Sequence, residues 1–323
     1  MTIRLSVVAG FVLLVIASQA PVQGSEPDRR KNYQQVERTM AADPRVLVSA
    51  CVVSGDLTVR GWNRNEVRAR VTDGTQIELT RNDQIKSQAA TELRVTTNGQ
   101  RRPGSNSSCI PSADIELDVP GGAAVRLQTS SGDIFVTDVA RVEASSQSGG
   151  MTLAKVAVDT SLNTISGEIS VRDSAGSFKL HTVGGEISAR NLLTAGLGGG
   201  FEASTVSGEV TLDQVQIPTI KVNTVSGDVD WTGPLSRAGR YDLQSISGRM
   251  RLVLPNNASF RLSASFGQTV RFNSDFNLNY SENQSTAGGS NRGGFRQFVA
   301  TAGNGDSLIT VSLLEGSLQI HKR

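Results

Sequence analysis

The chain has 323 residues, of which 37% are hydrophobic and 19% charged, so it has enough apolar side chains for a core and is not disordered throughout. Its formal net charge of +2 provides no overall field that would attract nucleic acid or an anionic membrane. With 2 histidines and 2 cysteines, it cannot form a histidine-rich metal site, a four-cysteine zinc site or a disulfide-dense miniprotein.

The N-terminus predicts a secretory signal peptide at residues 1–24. Arg4 precedes an apolar run from Val7 to Ala17, and Val22 and Gly24 suit the −3 and −1 positions of a cleavage site before Ser25. The alternative is an uncleaved anchor, although the run is shorter than the roughly 20 residues that a spanning helix needs. We expect the mature chain, residues 25–323, to be a single domain without a transmembrane segment, located in the periplasm or outside the cell.

The two cysteines are predicted to form a disulfide. Cys51 occupies an outward polar position in a strand, and Cys109 lies in a predicted loop before the strand at 115–119. An exposed free thiol is a liability in an oxidising compartment, so pairing explains both residues. The bond would also protect an exposed N-terminal end of the fold from fraying. The alternative is two independent thiols.

Residues 120–256 contain a repeat in which a Ser-Gly-acid bend separates two short strands. Its glycines, spaced by 17 to 23 residues, are Gly132, Gly149, Gly167, Gly185, Gly208, Gly227 and Gly248. Seven and five places before the glycine, and two and four places after it, the residues are mostly apolar, and those between are mostly polar. A period of two is typical of strands and cannot come from a helix.

This repeat predicts an all-β fold, a single-stranded and β-helix-like β-solenoid with coils of 17–23 residues. The unit has the size of one coil, and equivalent positions match residue for residue, as stacked coils require. The alternative is an antiparallel meander or sandwich, whose hairpins would use similar glycine turns.

The same pattern recurs around Gly55 and Gly316, so both ends of the chain are predicted to form coil-like units. Between the first unit and the main repeat, residues 61–120 carry longer alternating strands, for example at 67–71. Residues 257–305 are predicted to be irregular, with a loop rich in Ser, Asn and Gly at 281–294.

Several of these motifs resemble the bacterial DUF4097 family, also called toastrack. They are the repeated Ser-Gly-acid units, the Val-Arg-Gly-Trp sequence at 59–62 and the closing Leu-Glu-Gly-Ser-Leu sequence at 314–318. The resemblance covers nearly all of residues 36–323. It implies an envelope-associated β-solenoid connected with surface adhesion or envelope-stress systems, without an established catalytic site. We therefore expect an adhesin-like scaffold or binding protein whose partner is an envelope protein or a glycan.

An acidic residue follows the turn glycine in most units, which predicts an acidic column along one edge of the solenoid. Its members are Asp133, Glu168, Glu186, Glu209 and Asp228, interrupted at Gly150 and ended by Arg249. Stacked coils would place neighbouring members about 4.8 Å apart, a spacing that a solvated ridge tolerates. The alternatives are a weak cation or cationic-ligand site and an enzymatic acid pair.

A polysaccharide-active β-helix enzyme is the alternative function. Such an enzyme needs paired carboxylates in a cleft, whereas the acids here recur once per unit. The chain has no Gly-x-Ser-x-Gly, His-Glu-x-x-His or phosphate-loop motif, and His181 replaces residues that are polar and outward in the other units. We predict no catalytic residue, no metal site and no cofactor.

The tryptophans and one arginine-rich strand are the remaining candidates for a binding site. Trp62 is a possible sugar-stacking residue, whereas Trp231 falls on an inward position and is predicted to lie in the core. Arg64, Arg68 and Arg70 alternate on one strand and are predicted to form a solvated face.

Overall fold

Strands and tight bends form the regular structure, and a computed structural model describes residues 35–83, 89–97, 109–196, 198–281 and 295–323, with only the backbone of Phe295. These ranges contain no helix, and hence none that could cross a membrane. The predicted signal peptide, residues 1–24, lies outside the described residues, as do residues 282–294 of the predicted loop.

The N-terminal strands comprise a long first strand and six shorter ones. They are β1 (Val36–Ser54), β2 (Leu57–Trp62), β3 (Glu66–Val71), β4 (Ile77–Arg81), β5 (Ala90–Thr97), β6 (Ile110–Ser112) and β7 (Ile115–Pro120).

The central strands come in pairs, one pair per coil. They are β8 (Ala124–Gln128), β9 (Ile134–Thr137), β10 (Arg141–Ser148), β11 (Met151–Ala154), β12 (Asp159–Ser166), β13 (Ile169–Ala175), β14 (Ser177–His181), β15 (Ile187–Leu193), β16 (Phe201–Ser207), β17 (Val210–Asp213), β18 (Thr219–Ser226) and β19 (Val229–Thr232).

The C-terminal part begins and ends with a long strand. Its strands are β20 (Arg240–Leu254), β21 (Phe260–Gly267), β22 (Arg271–Ser274), β23 (Asn279–Tyr280), β24 (Phe295–Ala302) and β25 (Ser307–Lys322).

The coils stack in parallel and in the register that the repeat predicts. The first strands, from β8 to the first half of β20, form one parallel sheet, and the second strands, from β9 to the second half of β20, form another. Residues seven places before each glycine are successive partners: Val125, Val142, Thr160, Phe178, Phe201, Ile220 and Tyr241. The β-solenoid prediction is confirmed, and the antiparallel alternative is wrong for these coils.

One hydrophobic core fills the space between the two sheets. Leu162 and Ile187, from inward positions of the first and second strands, are both 0% exposed. Thr164, three places before its glycine, is buried as well, so the small hydroxyl residues at that position continue the inward face. The alternation of buried and exposed positions follows directly from the period-two sequence.

The turn glycines stack directly on one another along the solenoid. A Cβ added to Gly185 would lie less than 3.0 Å from the carbonyl oxygen of Gly167, and the same relation holds between successive glycines from Gly132 to Gly248 and again at Gly316. Gly132 also has a φ of 135°, a conformation that side chains disfavour. The bend therefore requires glycine because the backbones of adjacent coils touch there.

A second bend occurs six places after the turn glycine in five of the six central coils. Its residue is in the left-handed region, with φ between 52° and 59°, at Asp138, Lys155, Asp173, Asn191 and Gln214. Aspartate and asparagine tolerate this conformation better than most residues, which fits three of the five positions.

The order of the coils in space differs from their order in the chain. The second half of β1 pairs with β8 on one side and with β5 and β6 on the other, and β2 lies between β9 and β7. At the other end, β25 lies between β20 and the strands β21 and β22. The expectation of an exposed N-terminal coil is therefore wrong, because later strands cover it.

Antiparallel strands complete both ends of the stack. Strand β3 pairs with β1 and β7, and β4 pairs with β5. Near the other end, β24 pairs with β21 and β23, so the expectation that 257–305 is irregular is wrong for its described part. These strands cover parallel edges that would otherwise present unpaired backbone groups.

Candidate binding surface

The acidic column lies on the edge of the stack where each coil bends at its Ser-Gly pair. Glu168, Glu186 and Glu209 are exposed and belong to three successive coils, because the strands that follow them pair in register. Asp133 is exposed at one end of the column, and Asp228 is half-buried at the other.

The aspartates of this edge hold neighbouring coils together. The backbone N–H of Gly150 donates to Oδ1 of Asp133 at 2.7 Å, and that of Arg249 donates to Oδ1 of Asp228 at 2.8 Å. In the coil around Gly55, Oδ1 of Asp56 likewise accepts a hydrogen bond from the backbone N–H of Asp133 at 2.8 Å. A carboxylate one carbon from the backbone thus satisfies an amide of the next coil, so these aspartates have a structural role.

The glutamates of the column point into solvent without such partners. Glu168 and Glu186 form no ion pair with any described residue, and Oε1 of Glu209 accepts from the Thr211 hydroxyl at 3.2 Å. The pKa of Glu186 is raised above its ordinary value, mainly by partial burial and to a smaller extent by repulsion from the carboxylates of Glu168 and Glu209. Within the described ranges, no group of three or more His, Cys, Asp or Glu side chains could hold a metal ion.

A column of exposed aliphatic side chains runs beside the acidic column, two places before the turn glycine in six successive coils. This aliphatic stripe consists of Ile165, Val183, Val206, Val225, Ile246 and Leu314, with exposed fractions from 39% to 56%. Strand pairing places these residues in successive coils, so the stripe is about 24 Å long at about 4.8 Å per coil. Only the Ser-Gly pair, or Gly-Gly in one coil and Glu-Gly in the last, separates it from the acidic column.

The aliphatic stripe was missed in the sequence analysis, which treated the positions between inward residues as mostly polar. The glycine alignment contains the signal, because the same position is Ser130 and Gln147 in two earlier coils and aliphatic in the six that follow. An outward position that is apolar in consecutive coils is not explained by the core.

The remaining binding candidates have structural partners. The Trp62 indole N–H donates to the Glu66 carbonyl at 2.9 Å, and the guanidinium groups of Arg64 and Arg68 lie 5.0 and 4.8 Å from its ring centroid. Arg68 and Arg70 form ion pairs with Asp118 at 2.8 and 3.2 Å. The expectation of a solvated arginine face is therefore wrong for Arg68 and Arg70, which tie β3 to β7. Arg64 lies before β3 rather than on it, and its side chain is 63% exposed.

Trp231 and His181 lie where the sequence placed them. Trp231 is 0% exposed, with its ring centroid 4.7 Å from that of Tyr241, and is part of the core. His181 is exposed, and its Nδ1 lies 2.6 Å from the Ser204 hydroxyl of the next coil.

The predicted disulfide joins Cys51 to Cys109, with their Cα atoms 4.6 Å apart. It connects β1 to the residue before β6, two segments that also pair through Val52 and Ile110. A cavity of about 140 Å³ beside it is lined in part by Arg94 and Arg126.

A larger cavity, of about 270 Å³, lies near the C-terminal end of the stack. Arg237, Ser259 and Asp306 line it together with neutral residues, and among the described residues around it Asp306 is the one carboxylate. The carboxylates of the acidic column do not line it.

The chain is similar to three solved structures at low sequence identity. A "putative adhesin" from Parabacteroides distasonis is 10% identical with a TM-score of 0.44, and one from Bacteroides fragilis is 11% identical with a TM-score of 0.41; both matches cover 89% of this chain and 97% of theirs. A "putative cell adhesion protein" from Clostridium sporogenes is 11% identical with a TM-score of 0.23, covering 90% of this chain and all of its own. No curated protein matches the chain in sequence.

The family comparison agrees with the stacked coils and their glycine bends. The model of the family described as Toastrack DUF4097 matches residues 53–310, which include the coil around Gly55, the central coils and most of the C-terminal strands. Because this match spans far more than half of the chain, the chain belongs to the Toastrack family, DUF4097.

Proposed function

We propose that this chain is a non-catalytic, adhesin-like scaffold that binds an envelope component along its turn edge. The observation that carries the proposal is the aliphatic stripe, six consecutive exposed aliphatic side chains on a surface where Ser130 and Gln147 show that polar residues also fit. Contiguous exposed apolar surface of this kind marks interaction sites in soluble proteins.

The stack is suited to holding such a surface rigid. Each stripe residue lies in or beside a strand that is paired on both sides, and the glycine bends pack backbone against backbone. A preordered surface loses little conformational entropy when a partner binds.

We also propose that the protein acts in the periplasm or at the cell surface after removal of residues 1–24. The Cys51–Cys109 disulfide supports an oxidising compartment, and the resemblance to the Toastrack family supports the envelope.

Site-specific photo-crosslinking in the native cell tests the binding surface. A photoreactive residue at Val206 is compared with one at Val158, which lies outside the stripe; the two are 43% and 40% exposed. We expect a discrete crosslinked species from position 206 and none from position 158. Equal labelling from both positions, or none from either, would contradict the proposed surface.

A screen of the purified protein against acidic and neutral glycans tests the absence of catalysis. We expect no turnover. Cleavage of any glycan would overturn the scaffold function in favour of a polysaccharide-active enzyme.

A further inference from the structure

We infer that the aliphatic stripe receives an amphipathic α-helix of a partner protein, whose apolar face is flanked on one side by Lys or Arg. This inference rests on the proposed function and specifies the partner of the same surface.

The spacing of the stripe fits a helix better than an extended strand. Stripe residues recur at about 4.8 Å along the solenoid axis. A helix presents side chains on one face once per turn of about 5.4 Å, whereas a strand presents them every second residue, about 6.7 Å apart. The mismatch per coil is about 0.6 Å for the helix and about 1.9 Å for the strand, and it accumulates along the stripe.

The length of the stripe sets the length of the helix. Six coils span about 24 Å, which corresponds to a helix of about 16 residues at about 1.5 Å per residue. Isolated helices shorter than about 12–15 residues are marginal in water, and an amphipathic helix gains most of its stability from packing of its apolar face. Folding and docking of such a segment would therefore be coupled.

The two flanks of the stripe differ in charge, and this determines the charge of the helix. One flank carries the exposed carboxylates of Glu168, Glu186 and Glu209. The other flank, two places before the stripe residues on the same outward face, consists of polar residues without a carboxylate: Asn163, His181, Ser204, Asn223, Gln244 and Ser312. A complementary helix therefore carries cations along the carboxylate flank and neutral polar residues along the other.

The same charges argue against a second copy of this chain as the occupant. The turn edge of a second copy would supply the same carboxylates and the same polar column, and the one lysine or arginine that these columns carry, Arg249, already forms an ion pair with Asp228 at 2.6 Å. We therefore place the basic side chains on a different protein.

Three synthetic 18-residue peptides test the inference against the purified protein by fluorescence anisotropy. The first places Leu at helical spacing with Lys between, the second has the same composition in strict alternation, and the third replaces Lys by Glu at helical spacing. We expect the first peptide to bind at least about 10-fold more tightly than either other peptide and to become helical by circular dichroism when bound. Equal affinity of the first two peptides, or binding of the acidic one, would overturn the inference.

Variants of the protein connect any binding to the stripe. We expect V183T/V206T/V225T, which keeps side-chain shape, to weaken binding of the first peptide at least about 10-fold. We expect E186Q/E209Q to weaken binding of the same peptide and to reduce the salt dependence of its affinity. V158T is the control and should bind as the unmodified protein does. Unfolding curves of each variant show whether a loss reflects the surface or the fold, and unchanged affinity in both multiple variants would overturn the inference.

The peptide and crosslinking results separate this inference from the proposed function. Crosslinks from Val206 with no preference among the peptides would overturn the helical, basic partner and leave the binding surface standing. Absence of both position-specific crosslinks and peptide binding would overturn both.

Discussion

Two adjacent glycines allow a direct test of the contact between coils. In Gly185→Ala, the new Cβ would lie less than 3.0 Å from the Gly167 carbonyl oxygen and 2.9 Å from the Thr182 hydroxyl. In Gly184→Ala, the nearest atom is the Ile165 carbonyl oxygen at 3.8 Å, an ordinary contact. The two variants make the same chemical change one residue apart, with opposite steric consequences.

The expected effects on the free energy of unfolding differ in sign. Overpacking costs about 1–3 kcal/mol, and the upper end applies to Gly185→Ala because the obstructing carbonyl belongs to a paired backbone that cannot rotate away. Gly184→Ala should stabilise by about 0.5 kcal/mol, since alanine restricts the unfolded chain. The predicted difference between the variants is therefore about 3 kcal/mol.

Urea unfolding followed by far-UV circular dichroism measures this difference. We expect the midpoint to fall for Gly185→Ala and to rise slightly for Gly184→Ala, with similar slopes. Equal stability of the two variants would refute the backbone contact at the bends and the register of coils derived from it.

Three further predictions use the same unfolding assay. Ile187→Ala should lose about 2–5 kcal/mol because its side chain is 0% exposed, whereas Ser170→Lys, at an outward position, should change stability by less than about 0.5 kcal/mol; equal losses would contradict the inward and outward assignment. Asp133→Ala should lose about 1 kcal/mol with its bond to the next coil's N–H, and Glu168→Ala less than about 0.5, so a greater loss from the glutamate would reverse their roles. Glu186→Gln should stabilise the protein at pH 7, because a pKa raised in the folded state means that the fold disfavours the ionised carboxylate. This gain in stability should vanish as the pH falls below 4.5, the ordinary pKa of a glutamate, where the carboxyl group is protonated in both states. A gain that persists below that pH would contradict its electrostatic origin.

The register of the coils could be predicted from the sequence, but their order in space could not. Aligning on the turn glycines identifies Phe178 and Phe201 as partners because period-two strands bury equivalent positions. The alignment contains no information about which coils are neighbours, since every coil offers the same edge to every other. Leu47 therefore pairs with Ala124 although 77 residues separate them, and the insertion of β1 between β5 and β8 required the structure.

The acidic column was predicted at the correct edge, but its aspartates and glutamates have different roles because their side chains differ in length. Asp133 reaches back to the amide of the next coil, while Glu168 is longer and extends into solvent, and a sequence alone does not distinguish these outcomes. The left-handed bend at Lys155 was also beyond prediction, because lysine has no preference for this conformation, which it shares with the equivalent residues of the neighbouring coils, Asp138 and Asp173.

The placement of the terminal strands determines the order in which the fold can be completed. Strands β1 and β2 can pair on one side with β5, β6 and β7, which precede residue 124. Their neighbours on the other side, β8 and β9, begin only at residue 124, so this second edge stays unpaired until those strands have been made. Completion depends on the last residues of the chain, because β25 must enter between β20 and β21. A polypeptide truncated before β25 would therefore leave one edge of β20 and one edge of β21 unpaired, and such exposed edges favour pairing with other chains.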